Sequence, residues 1–435
     1  MLHDEYKSDI KWNNEQSMKL FVRCLMLMLR NKVLLNNGVL RKTGIVWFYP
    51  INMTNARREI LKDTWDKAYK EYFGGQASNC SSMDEAVAPV QYVFRNQRSA
   101  KDIVNIDIGG GTTDVAFAAK EGNIDYITSF KFATNDLFAD SYSVSNKNGI
   151  VDYFKTEFEQ LFSLNNELKL IFNSIKEPAN LASFFFSLKD NTLLAKVDDD
   201  AKDFNAKLLR DGDFKVPVLI FYVSIIYHIA QITKVMNIPV PRHISFCGNG
   251  SKIVRTISSD ARLLANFTKK IFELVRGEKY DKQLDLLGID DSENPKESTC
   301  KGGIVANTEN VQEIEAKQLI LNSIGTAIIE DESYDSVDNV YLSNVVEAVE
   351  EFFDFVLDDL NREFKFNDNF GIDNRTLKIA RETLKYDLRT YLEKGIEIRK
   401  QDIGEDEKIG ETFFFYAIKG ALQSLSEKIY ECKIN

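Results

Sequence analysis

The chain has 435 residues and a formal net charge of −11, with a pI near 5.1, which argues against nucleic acid as a main partner because phosphate backbones demand basic surface. A hydrophobic fraction of 44% supplies an ample core, and a chain of this length is expected to form two or three domains. Five scattered cysteines (Cys24, Cys80, Cys247, Cys300, Cys432) without a C-x-x-C pair, and three histidines (His3, His228, His243), give no support to a disulfide framework, a zinc site or histidine catalysis, and point to a reducing, cytoplasmic compartment.

In chain order, the first clear element is a helix over residues 17–31, whose apolar run from Cys24 to Leu29 is too short for a signal peptide core and reads as core-facing. Residues 44–50 (Gly-Ile-Val-Trp-Phe-Tyr-Pro) predict an apolar strand ending at Pro50, followed by a helix rich in Arg and Lys. Residues 74–82 read as a turn-rich interruption, and Ser82 to Tyr92 as a further helix. Residues 103–118 then run Ile-Val-Asn-Ile-Asp-Ile-Gly-Gly-Gly-Thr-Thr-Asp-Val-Ala-Phe-Ala, a strand carrying Asp107, a glycine triplet with Thr112 and Thr113, and a return strand from Val115 to Ala118. Such a hairpin suits an anion. Gly109, Gly110 and Gly111 let backbone N–H groups approach closely and tolerate positive φ. The threonines add hydroxyl donors, while Asp107 and Asp114 suit a hydrated Mg²⁺, which prefers one or two carboxylates plus waters. A Gly-rich β-turn without chemistry is the competing reading, and the acids bracketing the triplet weigh against it.

A third strand is predicted over residues 124–132 after the turn Glu121-Gly122-Asn123. Residues 135–240 read as mostly helical, with Asp198 to Asp200 as a solvated face. Val216 to Ala230 is shorter than the ~20 residues of a spanning helix and contains Pro217, Ser224 and His228, so a buried helix is predicted and no membrane span, with His228 a hydrogen-bonded core residue. Residues 244–255 predict a short strand, the turn Gly248-Asn249-Gly250-Ser251 and a helix start, and Asn294 to Val305 a helix containing Gly302 and Gly303. Further on, Asn344 with Glu347 offers a capping box, and Val345, Val346, Val349, Phe352, Phe353, Val356, Leu357 and Leu360 recur at helical spacing. Helices are also predicted over 377–392 and 413–429, with Gly371 and Gly404 among the breaks. These helices read as a bundle packed on its own core or on the strand-bearing part of the chain before it, or as a docking module for a protein partner.

The hairpin at 103–118 resembles the second phosphate loop of the actin, sugar-kinase and heat-shock-chaperone ATPase superfamily. Other segments resemble its motifs in order. Residues 44–59 fit the chaperone members, and 82–92 resemble a crossing helix whose acidic residue lies near the hydrolytic water, matched by Glu85. Residues 244–255 resemble the adenosine motif, with Asn249 where a second glycine is usual, and 294–305 are similar to the helix crossing back between lobes, with Gly302 and Gly303 at the crossing. The resemblance implies an α/β, actin-like (ribonuclease-H-like) two-lobe ATPase fold: residues 1–100 part of the first lobe, 101–306 the second lobe with a helical insert over 135–240, and 307–435 a helical extension. It implies ATP and Mg²⁺ as cofactors. Gly109, Gly110, Gly111, Thr112 and Thr113 would meet the phosphates, and Gly248, Asn249, Gly250 and Ser251 the adenosine. Asp107 and Asp114 would serve the metal, and Asp107 and Glu85 the catalytic step.

Superfamily members also open with a first phosphate loop bearing an Asp and a Gly-Thr pair. The residues before Asp107 lack that form, so the chain is expected to begin part-way through its first lobe and to hydrolyse ATP weakly or not at all on its own. The implied function is a chaperone-like or actin-like nucleotide switch or assembly factor. A small-molecule kinase, for which no general-base Asp is identifiable, and a non-catalytic scaffold are the alternatives.

Overall fold

The computed structural model describes residues 15–50, 53, 55–96, 101–118, 124–138, 148–189, 191–289, 295–308, 317–403 and 408–434. A small sheet is made by β1 (Ile45–Tyr49) and β2 (Cys80–Asp84), which run parallel. Helix α1 (Glu15–Leu35) precedes them, and α2 (Asn55–Phe73) makes the crossover. The β-branched and aromatic run Ile-Val-Trp-Phe-Tyr favours an extended backbone, and its buried positions, Ile45 and Trp47, alternate as a strand requires. Trp47 stacks on Trp65 of α2 with ring centroids 5.9 Å apart, and Met18, Val22 and Met26 of α1 complete this cluster. The segment expected as turn and then helix differs: Cys80 to Asp84 is strand, and helix α3 covers only Val87–Asn96.

A second sheet begins with β3 (Ile103–Ile108), β4 (Thr113–Ala118) and β5 (Tyr126–Phe130). The turn expected at 121–123 lies outside the described residues. Helices α4 (Asn135–Phe138), α5 (Gly149–Phe162), α6 (Asn166–Ser174), α7 (Pro178–Ser187), α8 (Asp199–Lys202), α9 (Phe204–Arg210) and α10 (Lys215–Val235) follow, as the helical reading of this stretch anticipated. Next come β6 (His243–Cys247), a 3₁₀ helix at Asn249–Thr256, α11 (Ala261–Arg276), β7 (Asp285–Leu287), α12 (Pro295–Thr308) and β8 (Lys317–Gln318). The C-terminal helices are α13 (Asn339–Asp354), a π-helical turn at Phe355–Leu360, α14 (Asn361–Phe364), α15 (Phe366–Phe370), α16 (Asn374–Thr383), α17 (Leu388–Ile403) and α18 (Phe414–Ile434). The strand order is β7-β6-β3-β4-β5-β8, with β4 antiparallel to both neighbours and the other pairings parallel. The chain is thus α/β with a mixed sheet and added C-terminal helices.

The two faces of β3 have different tasks. Val104, Ile106 and Ile108 join Val115 and Phe117 in the main core. On the opposite face small residues predominate, and Ala116 and Ala118 meet Ala86, Val87 and Val90 at the head of α3. Helix α12 crosses α3 at backbone distance: a Cβ on Gly302 would lie 1.7 Å from the Ala88 carbonyl oxygen, and one on Gly303 would lie 2.6 Å from the Phe48 ring. Helix α10 is buried along nearly its whole length. Among the described residues it provides the one window apolar and long enough to cross a membrane, and 89% of that window is inside the protein.

The C-terminal helices close over the other side of the sheet. Phe415 of α18 stacks on Phe130 and Phe132 with centroids 4.3 and 4.7 Å apart, and the stripe Val345, Val349, Phe352, Phe353, Val356, Leu357 and Leu360 is buried within the chain. The chain departs from two local expectations. The helix containing that stripe is capped by Asp338, whose carboxylate accepts from the Tyr341 amide at 2.7 Å, so Asn344 and Glu347 sit inside the helix and form no capping box. The stretch 377–392 is two helices, separated around Asp387, which adopts φ 58°. Gly371 breaks the chain as expected, with φ 65° at the end of α15, while Gly404 lies outside the described residues.

Candidate functional site

Strands β3 and β4 pair from Ile103↔Ala118 to Ile108↔Thr113, leaving Gly109 to Thr112 as the connecting loop. The Gly109 amide closes it by donating to the Thr112 carbonyl at 2.9 Å. None of the three glycines has positive φ, so left-handed backbone is not what this loop needs from them. Access is the better reason. Gly110 and Gly111 are exposed, and a Cβ on Gly111 would meet nothing within 4 Å. The loop therefore presents bare backbone to an open space that a side chain would fill. Thr112 is partly exposed, whereas Thr113 is fully buried, its hydroxyl donating to the Phe132 carbonyl at 2.6 Å and bracing the loop from behind.

Asp107 stands opposite Asp114 on β4 and Cys247 on β6. Directly opposed residues share a face of a sheet, so both carboxylates project toward α3 and α12. Asp107 is half-buried and Asp114 buried. A third acid arrives from the small sheet. Asp84, the last residue of β2, accepts from the Ala86 amide at 2.8 Å. Burial first, and the like charge of Asp114 second, push its carboxyl up to about 8, against the pull of the Ala86 amide. Glu85, the acid singled out from the sequence, is half-buried beside it and donates its amide to the Tyr49 carbonyl at 3.0 Å. Asp84 was the residue missed. Its only signal was adjacency, because which of two neighbouring acids faces Asp114 depends on the phase of a strand that the sequence did not reveal.

The turn after β6 packs directly on this loop. Gly248 has φ 75° and leaves no room for a side chain, since a Cβ would lie 2.3 Å from the Asp107 carboxylate and from the Ile108 carbonyl. A Cβ on Gly250 would lie 2.7 Å from the carbonyls of Ile108 and Gly109. Asn249 is exposed between them. Ser251 is buried and donates its hydroxyl to the Gly248 carbonyl at 2.7 Å, which fixes the turn. The helix after the turn is 3₁₀ over its whole length, Asn249–Thr256. Two small-residue turns, remote in sequence, thus meet at the carboxyl ends of the parallel strands β3 and β6, the place where open α/β sheets receive ligands.

Among the described residues no group of three or more His, Cys, Asp or Glu side chains is spaced to hold a metal alone. The acids present instead fit Mg²⁺, which takes one or two carboxylates and completes its shell with water and phosphate oxygens. A cavity of about 600 Å³ lies elsewhere, where Tyr153, Asp211, Asp213 and Lys433 face one another. Its cations are already paired, Lys207 with Glu157 at 2.7 Å, Arg210 with Asp200 at 2.7 Å and Lys433 with Asp213 at 2.9 Å.

No protein-family model matches the chain, and neither does any curated protein. Among solved structures it is similar to the ethanolamine utilization protein EutJ from Carboxydothermus hydrogenoformans, at 14% identity over 67% of this chain and 74% of that one, with a TM-score of 0.31. It is similar also to MreB5 of Spiroplasma citri bound to ADP, at 15% identity over 70% of this chain and 80% of that one, with a TM-score of 0.33.

Proposed function

We propose that the chain binds an adenine nucleotide with Mg²⁺ between its two sheets, and acts as a nucleotide-dependent switch or assembly factor. The observation that carries this reading is the packing of the Gly248 to Ser251 turn on the loop at Gly109, beside Asp107 and Asp114. Amides at Gly110 and Gly111 and the Thr112 hydroxyl would face the phosphates. The exposed backbone around Asn249 would face the nucleoside. A bound Mg²⁺ would supply positive charge to the phosphates, held through water by Asp107 and Asp114. Asp84 and Glu85 approach from the other sheet, so a ligand held by both bodies would draw them together, which is what a switch requires. The division into residues 1–100, 101–306 and 307–435 follows the same logic. A protein partner at the C-terminal helices would meet their outer faces, where Val340, Tyr386 and Ile398 are exposed, because the inner stripe is already covered.

Calorimetric titration with ATP and ADP, with and without Mg²⁺, tests the reading. Mg-dependent binding is expected, and Asp107→Ala is expected to weaken it by about tenfold or more, the value of one well-placed charged contact, with an unchanged circular dichroism spectrum. If neither nucleotide binds at millimolar concentration, the chain is a scaffold that keeps the fold without the ligand.

A further inference from the structure

The carbonyl groups of the glycine loop are held from behind by the segment that leads into α4. The Asn135 amide donates to the Gly110 carbonyl at 2.8 Å, and the Thr134 hydroxyl donates to the Gly109 carbonyl, also at 2.8 Å. That segment is in turn shaped by Asp136, whose Oδ2 accepts from the Ala133 amide at 2.7 Å. The other carboxylate oxygen of Asp136 lies 3.2 Å from Nζ of Lys419, on α18. Both side chains are removed from water, Asp136 at 2% and Lys419 at 9% exposure. A buried ion pair is weak evidence of stabilisation, since apolar residues of like volume often do as well or better, so generic stability does not account for a lysine in the inner face of α18. What the pair does supply is a fixed register between α18 and the residues that hold the loop. Two neighbouring contacts act in the same direction: Glu411 accepts from the Lys131 amide at 2.9 Å, and Phe415 stacks on Phe130 and Phe132.

We infer that Lys419 is a positioning residue, which through Asp136 and Asn135 sets the conformation of the loop at Gly109 to Gly111, so that occupancy of the loop and the packing of α18 are coupled. The inference rests on the proposal that this loop binds nucleotide phosphate. Coupling of this kind is reciprocal: a ligand that fixes the loop stabilises α18 in its seat, and loosening α18 weakens the ligand. The C-terminal helices are then the part of the molecule that reports the state of the site.

Hydrogen exchange of the full chain, with and without Mg·ATP, separates the possibilities. Slowed exchange at residues 109–113 together with at least about threefold slower exchange across 414–434 is expected, since a local opening equilibrium responds directly to coupling free energy. In Lys419→Met the response at 109–113 should persist and that of 414–434 should be lost, with affinity for Mg·ATP reduced by a factor on the order of ten. Where Lys419→Met alone does not fold, the double change Asp136→Asn with Lys419→Met removes the stranded charge, keeps an acceptor for the Ala133 amide and should show the same loss. Protection at 109–113 without any change in 414–434, or an α18 response that survives in the variant, overturns the inference. No protection at 109–113 in the unaltered chain refutes the nucleotide site itself, and the coupling with it.

Discussion

His228 lies 2% exposed on α10, between the rings of Phe130, Phe414 and Phe415. Burial lowers its imidazole from 6.5 to about 3, so the neutral form is the one that fits. The stability linked to it is therefore complete above about pH 6.5 and is lost as pH falls from there toward 3, where the unfolded chain binds a proton that the folded chain refuses. Denaturant unfolding measured from pH 7 to pH 4 should show a loss, with His228→Phe shallower by about 1–3 kcal/mol over that range; parallel profiles for the two proteins would remove His228 from the acid response. Other single residues were read from the sequence to differing degrees. Asp107 and the glycine triplet announced themselves by spacing. The inward turn of the Thr113 and Ser251 hydroxyls, by contrast, depends on the carbonyls of Phe132 and Gly248, and only the folded chain brings the first of these near.

Among the elements, the crossing of α3 and α12 allows the least change. Ala88 and Gly302 leave the two backbones in contact, and a methyl group there has to push the helices apart. Gly302→Ala should cost about 1–3 kcal/mol, read as a lowered urea midpoint, and should loosen the seat of Asp84 and Glu85 relative to the loop. An unchanged midpoint would mean the crossing is plastic. Elements with a strong period or a bounded apolar run were legible before folding: β1, β3, the return strand β4, α10 and the buried stripe of α13. Those that failed had no local signal. Cys80 to Asp84 contains two serines and one apolar side chain besides its cysteine, and it becomes a strand only because β1 offers it a parallel edge. The apparent cap at Asn344 lost to Asp338, which lies nearer the true start. The split at Asp387 needs a positive φ without glycine, a conformation open to Asp and Asn more than to other residues but adopted by few of them.

For the molecule as a whole, the C-terminal helices are a layer of the core. A chain ending at Thr308 would lay bare Phe130 and Phe132, which α18 now covers, and would lose the partners of α5, where the Ser426 carbonyl lies 2.3 Å from the Cβ position of Gly149. Such a chain is expected to aggregate or elute as a large species in size-exclusion chromatography; a soluble monomer with an intact circular dichroism spectrum would show that the layer is dispensable. The candidate site was legible because its turns are local in sequence, whereas their support was not, since Thr134 and Asn135 hold the loop and are held in turn from residues 411–426, remote from it along the chain. That distance also dictates how the protein comes into being. The Ile150 amide bonds to the Ser426 hydroxyl 276 positions later, and the Lys131 amide to Glu411 280 positions later. On the ribosome, the apolar surface of β5 and α5 emerges long before its cover is synthesised, so the intervening residues are made while that surface is open to chaperones and to neighbouring chains. Folding dominated by such distant closures is slow, and the segment behind the loop at Gly109 to Thr112 gains its contacts with Glu411 and Lys419 only once α18 has been made.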